Sequence, residues 1–137
     1  MNRYFLIIFI LAFSLIACSD NHLEINNSYG FSVSHLPVVS KLKKGETAEI
    51  RCQIVCEGKY INTSYYLYYF QPNGNGELKL EDGTILTQND TYALNKETFR
   101  LYYTSKSQVQ QVIDIVFFDS AGNEFPLSFT FNHDSNS

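Results

Sequence analysis

The residues of this 137-residue chain best suited to metal or redox chemistry are three cysteines and three histidines. A zinc site needs about four such ligands brought together. His22, His35 and His133 are scattered along the sequence, so no metal-ligand spacing is present. Cys52 and Cys56 would stand about 13 Å apart if both lie on one strand, beyond the reach of a disulfide. We therefore predict two free thiols that pack as small hydrophobic groups, with an intermolecular bridge as the alternative.

The sequence lacks the local motifs of common enzymes. It contains no Gly-x-Ser-x-Gly, no His-Glu-x-x-His and no phosphate-binding loop. Its neighbouring acidic residues Glu77, Glu81, Asp82 and Asp90 are expected in turns, as a solvated rim rather than a catalytic pair. Residues 119–124 are too short for a calcium loop and lack the bidentate glutamate that such a loop has at position twelve. We expect no catalytic residue, no cofactor and no metal site.

Cys18 is the cysteine whose surroundings favour a covalent modification. Residues 5–17 are apolar apart from Ser14 and follow Arg3, which is typical of a secretory signal. As a helix this run would span about 20 Å, short of the hydrocarbon core of about 30 Å. The sequence Leu15-Ile16-Ala17-Cys18 resembles a bacterial lipobox. That resemblance implies cleavage before Cys18 and acylation of its sulfur and amine, whereas the alternative is an ordinary signal with a chance cysteine.

These features predict four parts: a cleaved lipoprotein signal peptide (1–17), a lipid-anchored polar tether (18–28), one β-sandwich domain (29–133) and a short tail (134–137). The formal charge of −4 becomes more negative once the signal and its Arg are removed. An acidic chain is a poor partner for phosphate, so we expect no direct nucleic-acid binding. Ser19 after the lipidated cysteine favours the outer membrane if the enterobacterial sorting rule applies. We expect the protein to face the periplasm, with the cell surface left open.

The domain itself shows strands of period two separated by turns. Residues 41–45 contain three lysines and a glycine and are expected to form a charged turn. Within residues 46–57 the side chains expected to face the core are Ala48, Ile50, Cys52, Ile54 and Cys56. Residues 111–119 are apolar on both faces and predict a central strand, while Pro126 indicates an edge or a bulge. Seven or eight such strands favour an all-β, antiparallel immunoglobulin-like β-sandwich, although the Cys and Trp hallmarks of antibody domains are absent.

Tyrosines provide the clearest candidate binding surface, because ten Tyr and eleven Phe make the chain rich in aromatic residues. Alternation in residues 64–71 places Leu67 on one face and Tyr66 and Tyr68 on the other. If Leu67 points inward, Tyr66, Tyr68 and Tyr102 would form an exposed aromatic platform. Tyrosine is enriched in protein interfaces, so we predict partner binding there. The alternatives are sugar stacking, or simple packing beneath loops or the tether.

Several segments of the chain resemble the TraQ proteins of Bacteroides-type conjugative transposons. The matching segments include KKGETAEIRC (43–52), YFQPNG (69–74), ETFRLYYTS (97–105) and LSF (127–129). The resemblance covers nearly the whole mature chain and includes the lipoprotein signal. It implies a role in DNA transfer between cells, within a mating apparatus related to type IV secretion. It supplies no catalytic or binding residues.

A second resemblance concerns Ser120. The triplet Asp119-Ser120-Ala121 is similar to the O-glycosylation site of Bacteroides envelope proteins, and a plain hairpin turn is the alternative. Taken together, the sequence predicts a non-enzymatic, lipid-anchored envelope protein of a conjugative transfer apparatus. We expect it to contact the membrane through acylated Cys18 and other transfer proteins through its surface, with the oligomeric state left open. The alternative function is a β-sandwich lipoprotein that binds glycan or peptidoglycan.

Overall fold

A computed structural model of the protein describes residues 30–56 and 63–135. Cys18, the signal peptide and the tether lie outside these residues. The described chain forms nine strands: β1 (Phe31–His35), β2 (Lys41–Leu42), β3 (Thr47–Cys56), β4 (Tyr65–Asn73), β5 (Gly76–Leu80), β6 (Tyr92–Leu94), β7 (Thr98–Ser105), β8 (Gln111–Asp119) and β9 (Glu124–His133). Within this described part there is no helix.

The strands form two sheets that pack face to face. The four-stranded sheet has the order β1-β3-β7-β5, and the five-stranded sheet has the order β2-β9-β8-β4-β6. All pairings are antiparallel except the short parallel pair of β2 with the end of β9. These orders correspond to the ABED and GFC sheets of the immunoglobulin fold, with β6 added beside the C strand. The prediction of an immunoglobulin-like sandwich is confirmed.

The core lies between the sheets and is built from the alternating side chains that face inward. On β8 the sequence Gln111–Asp119 alternates buried and half-buried side chains along its whole length. Aromatic rings meet across the interface: Phe99 of β7 packs against Phe117 of β8 at 5.8 Å, and Tyr103 stacks on Phe131 at 4.9 Å. Strand β8 is the middle strand of the five-stranded sheet, as predicted from its two apolar faces.

A buried polar cluster closes one end of the core. The Tyr103 hydroxyl donates to Gln111 Oε1 at 2.6 Å, and Gln111 Nε2 donates to Ser105 Oγ at 2.8 Å. Gln71 Nε2 also donates to the Tyr103 hydroxyl oxygen, at 2.7 Å. A Cβ on Gly76 would lie 2.1 Å from that oxygen, so β5 reaches its place because residue 76 has no side chain. Each side chain of this cluster therefore has a hydrogen-bond partner within it.

Two features of the strands differ from the sequence-based expectations. Residues 41–45 were expected to form a charged turn, but Lys41 and Leu42 pair with β9 as a short strand. Cys56 was expected to face the core with Cys52, yet it is exposed at the last position of β3, where its thiol meets the Tyr65 hydroxyl of the opposite sheet. Pro126 lies where β9 has a neighbour on one side alone, which confirms the predicted edge position.

Candidate functional site

Tyr66 and Tyr68 lie on the outside of the five-stranded sheet. Strand β4 alternates strictly, so Tyr65, Leu67 and Tyr69 are buried in the core while Tyr66 and Tyr68 are half-exposed. Leu67 is fully buried and thus points inward, as the platform prediction required. The two tyrosines are therefore held on the same outer surface by a strand whose other face is locked into the core.

Strand β8 extends this surface with side chains that the platform prediction did not include. The Tyr66 ring stacks on Phe118 with centroids 5.2 Å apart, and Tyr68 packs on the same ring at 6.0 Å. Tyr68 is in register with Val116 of β8. We call the half-exposed outer side chains of the two strands the aromatic face: Tyr66, Tyr68, Phe70, Val112, Val116 and Phe118. The apolar character of both faces of residues 111–119 was the sequence signal for the β8 part.

The aromatic face also carries a negative charge near its middle. Asp114 projects outward from β8, half-buried, in register with Phe70 on one side and Ser128 on the other. Its carboxylate has no hydrogen-bond or ion-pair partner among residues 30–56 and 63–135. Strands β4, β6, β8 and β9 contain no Lys or Arg. The surface is thus apolar and anionic.

The edge of β4 next to this face is closed to further strand pairing. Strand β6 covers the start of β4. Beyond it, Asn89 donates its backbone N–H to the Tyr69 carbonyl at 2.8 Å, and Gln88 Oε1 accepts from the Gln71 N–H at 2.9 Å. These bonds occupy backbone groups that an added strand would need. A partner would consequently meet the side-chain face of β4 and β8.

The outer surface of the four-stranded sheet has the opposite character. Glu49 accepts a hydrogen bond from Arg51 Nε and lies 3.7 Å from Arg100 Nε. Glu77 pairs with Lys79 at 3.4 Å and with Lys106 at 3.1 Å. The hydrogen bond from Arg51 lowers the pKa of Glu49, and that from Lys106 lowers the pKa of Glu77. This is a solvated surface on which four cations pair with two carboxylates.

Tyr102 belongs to this polar surface and not to the aromatic face. It lies on β7, in register with Glu49 of β3 and Lys79 of β5. The expectation that it would join Tyr66 and Tyr68 is wrong, because β7 and β4 belong to different sheets and their outer faces point in opposite directions. The structure brings two of the three predicted tyrosines together and separates the third by the thickness of the sandwich.

A shallow groove of about 400 Å³ lies on the polar side. Its lining includes Arg51 and Arg100, which are in register on neighbouring strands, the acidic residue Glu81, and the polar residues Ser34, Gln53 and Thr98. One carboxylate, Glu49, serves both arginines. The arginines therefore retain donors that a carboxylate or a sugar hydroxyl could occupy.

Ser120 lies in the turn between β8 and β9 and is exposed. Its backbone N–H donates to the Ser64 carbonyl at 2.9 Å, and its Oγ accepts from the Ser64 N–H at 3.2 Å. Asp119 beside it is buried, and its carboxylate accepts from the backbone N–H groups of Ala121 and Asn123. In the folded turn the serine of the predicted glycosylation triplet is therefore exposed, whereas the carboxylate of its aspartate is engaged in hydrogen bonds.

The two described cysteines differ in environment. Cys52 is buried in the core, and burial raises the pKa of its thiol to about 12. Cys56 Sγ lies 2.8 Å from the Tyr65 hydroxyl oxygen. Burial of Tyr65 is the main cause that raises its pKa, and the hydrogen bond with Cys56 is the second. Both cysteines are free thiols.

Residues 30–56 and 63–135 contain neither a cluster of metal ligands nor a membrane-spanning helix. Within them, no group of three or more His, Cys, Asp or Glu side chains is placed to hold a metal ion. The same stretch contains no helix long and apolar enough to cross a membrane.

The fold and its surface define a class: a two-sheet immunoglobulin-like domain with one polar outer face and one aromatic outer face. The chain belongs to the TraQ conjugal transfer protein family, whose model matches residues 2–134. This match confirms the resemblance seen in the sequence. None of the curated proteins compared with the chain matches it.

Solved structures from Bacteroides agree with this assignment. A conjugative transposon lipoprotein from Bacteroides eggerthii is 42% identical, with a TM-score of 0.73 over 77% of this chain and 99% of that one. A lipoprotein from Bacteroides thetaiotaomicron is 54% identical, with a TM-score of 0.72 over 82% and 87%. A conjugate transposon protein from Bacteroides vulgatus is 45% identical, with a TM-score of 0.69 over 84% and 98%.

Proposed function

We propose that this protein is a non-enzymatic, lipid-anchored component of the cell envelope in a conjugative transfer apparatus, and that it docks a partner protein on its aromatic face. The family and its lipoprotein neighbours support the process and the anchor. Acylated Cys18 would hold the chain at the outer membrane, with the sandwich in the periplasm. The aromatic face, which lies within the matched residues, supplies the docking surface.

The observation that carries this proposal is the contrast between the two outer faces. A sheet exposed to water normally alternates apolar inward and polar outward side chains, and the four-stranded sheet follows that rule. The five-stranded sheet instead presents Tyr66, Tyr68 and Phe118 in mutual contact on its outside. Clustered exposed aromatic rings are characteristic of interaction sites, because they lose contact with water when a partner covers them.

The proposal is tested by transfer from donor cells that carry the double variant Tyr66→Ala/Tyr68→Ala as their sole copy. We expect transfer frequency to fall about tenfold or more, with abundance and membrane localisation unchanged. The matched control is Val55→Ser/Ile85→Ser, which removes exposed apolar side chains away from the aromatic face and should transfer normally. Normal transfer by the tyrosine variant would contradict the proposal. A defect in Tyr102→Ala alone would move the docking site to the polar face.

A second candidate function, binding of peptidoglycan, is favoured by the groove beside Arg51 and Arg100. The stem peptides of peptidoglycan carry carboxylates, which pair well with guanidinium groups. The mature chain with Cys18→Ser would be mixed with isolated sacculi and sedimented. Retention that is lost in Arg51→Ala/Arg100→Ala would support this function, and no retention of the parent chain would exclude it.

A further inference from the structure

Asp114 is an ionisable group placed inside an apolar surface without a compensating charge. On β4 its register neighbour is Phe70, and along its own strand the next outward side chains are Val112 and Val116. On β9 its register neighbour is the exposed Ser128. A half-buried carboxylate in such surroundings depends on water for the hydrogen bonds that it accepts.

Any partner that covers the aromatic face removes this water. Burying a carboxylate without a counter-charge is strongly unfavourable, whereas burying it against a hydrogen-bonded cation can be favourable. The rings and Asp114 therefore impose different requirements on one partner. The rings require apolar side chains on the partner, and the carboxylate requires a Lys or an Arg of the partner among those apolar side chains.

A second copy of this chain that presents its own aromatic face does not meet the second requirement. Among the five strands of the sheet, Lys41 of β2 is the single Lys or Arg. Lys41 is in register with Asn132, which lies four residues along β9 from Ser128, a distance of about 13 Å. The strand of Lys41 is also separated from β8 by β9. Two copies meeting face to face would bury two carboxylates without a cation.

Resting on the proposed function, we propose that Asp114 makes the aromatic face selective for a basic protein surface: one whose apolar side chains cover the Tyr66 and Phe118 rings and whose Lys or Arg pairs with the Asp114 carboxylate. Asp114 is the specificity-determining residue of the face, and the rings supply the contact area. The competing explanation is that Asp114 keeps the apolar sheet face from self-association, as charges on exposed sheets can do.

The test uses donor cells that express the full-length lipoprotein as Asp114→Asn, Asp114→Lys or the control Asp90→Lys. Asp90 is exposed in the loop before β6, so its replacement makes the same change in net charge away from the aromatic face. We expect Asp114→Lys to lower transfer about tenfold or more and the isosteric Asp114→Asn to lower it by a smaller factor. Asp90→Lys should transfer normally.

A photo-crosslinking amino acid at position 128, directly opposite Asp114, then reports the contact in the same cells. The expected adduct joins this chain to another transfer protein through a segment containing Lys or Arg, and it disappears in Asp114→Lys. Selection for restored transfer in the Asp114→Lys donor should yield Lys or Arg replaced by Asp or Glu within that segment.

The outcomes separate this inference from the proposed function. If Asp114→Lys transfers like Asp90→Lys while Tyr66→Ala/Tyr68→Ala is defective, the face docks a partner without charge selection and this inference is overturned. Normal transfer by all these variants overturns both. An adduct of two copies of this chain, or self-association of Asp114→Asn with unchanged transfer, also overturns the basic-partner assignment.

Discussion

Tyr66 and Phe118 stack on the outside of the sandwich, with ring centroids 5.2 Å apart and an angle of 22° between the ring planes. They are in register on β4 and β8, and the neighbours of each along its own strand are buried on the inner face of the sheet. Phe117, next to Phe118, is fully buried and packs against Phe99. Phe117 thus contributes to the core and Phe118 to the outer surface, so the effects of substituting these two adjacent residues can be compared directly.

We expect Phe117→Ala to destabilise the domain by about 3–5 kcal/mol, because it leaves a cavity between the sheets. Phe118→Ala should cost about 1 kcal/mol, since it removes a ring pair on the surface. Urea unfolding of the mature chain, with Cys18→Ser to prevent acylation, measures both. Similar losses of stability for the two variants would show that the outer ring is part of the fold rather than a free surface.

How far the sequence predicts this arrangement depends on the range of the interactions involved. Alternation along one strand is local, so the inward position of Leu67 and the outward positions of Tyr66 and Tyr68 could be predicted. The outer surface on which Tyr102 lies could not be predicted, because it depends on which sheet β7 joins. That choice is made by pairing with β3, whose residues are about fifty positions earlier in the chain.

Short elements were missed for a different physical reason. Strands β2 and β6 contain two and three residues, too few for any alternation to appear. Their positions are determined by backbone hydrogen bonds to β9 and β4, which the residue types do not encode. The contribution of Phe118 to the surface was present in the sequence as a second apolar face of β8. Its exposure could be recognised only once the covering elements were known.

The buried thiol of Cys52 predicts a loss of stability at alkaline pH. Its pKa is raised to about 12 in the fold, against about 8.5 in the unfolded chain. Between these two pKa values the folded state keeps the thiol proton and the unfolded state releases it. The contribution of Cys52 to the free energy of unfolding is therefore complete below about pH 8.5 and falls as pH rises towards 12. The unfolding midpoint in urea should fall between pH 8.5 and 10, before the tyrosines titrate.

Cys52→Ala should flatten that pH dependence, while Cys56→Ala should retain it because Cys52 is still present. Thiol reagents provide a second readout on the Cys18→Ser chain. The exposed Cys56 should react rapidly in the folded protein, and Cys52 should react after unfolding. An equal slope with pH in Cys52→Ala and the parent chain would contradict the assignment.

Ser120 provides a test of glycosylation. In the folded turn the Asp119 carboxylate is engaged by Ala121 and Asn123, so we expect any modification to precede folding of the turn. The intact mass of the mature lipoprotein from its own host should exceed the mass of the acylated polypeptide and should fall to it in Ser120→Ala. Ser120→Thr preserves the Asp-Ser/Thr pattern and should keep the added mass. Identical masses for the parent and Ser120→Ala would show that the triplet is simply a turn.

Cys18 provides the test of anchoring. Acylation on both its sulfur and its amine would attach several chains to one residue, which is enough for stable membrane association. Metabolic labelling with a fatty acid should mark the parent protein and leave Cys18→Ser unlabelled. The variant should also leave the outer-membrane fraction, and transfer should fall even though the sandwich folds normally, because the domain is no longer held at its working surface. Protease added to intact cells then decides orientation: a domain that faces the periplasm is protected, and one at the cell surface is digested. Label retained by Cys18→Ser would contradict the lipobox assignment, whereas full transfer by a soluble variant would show that the docking face works without its anchor.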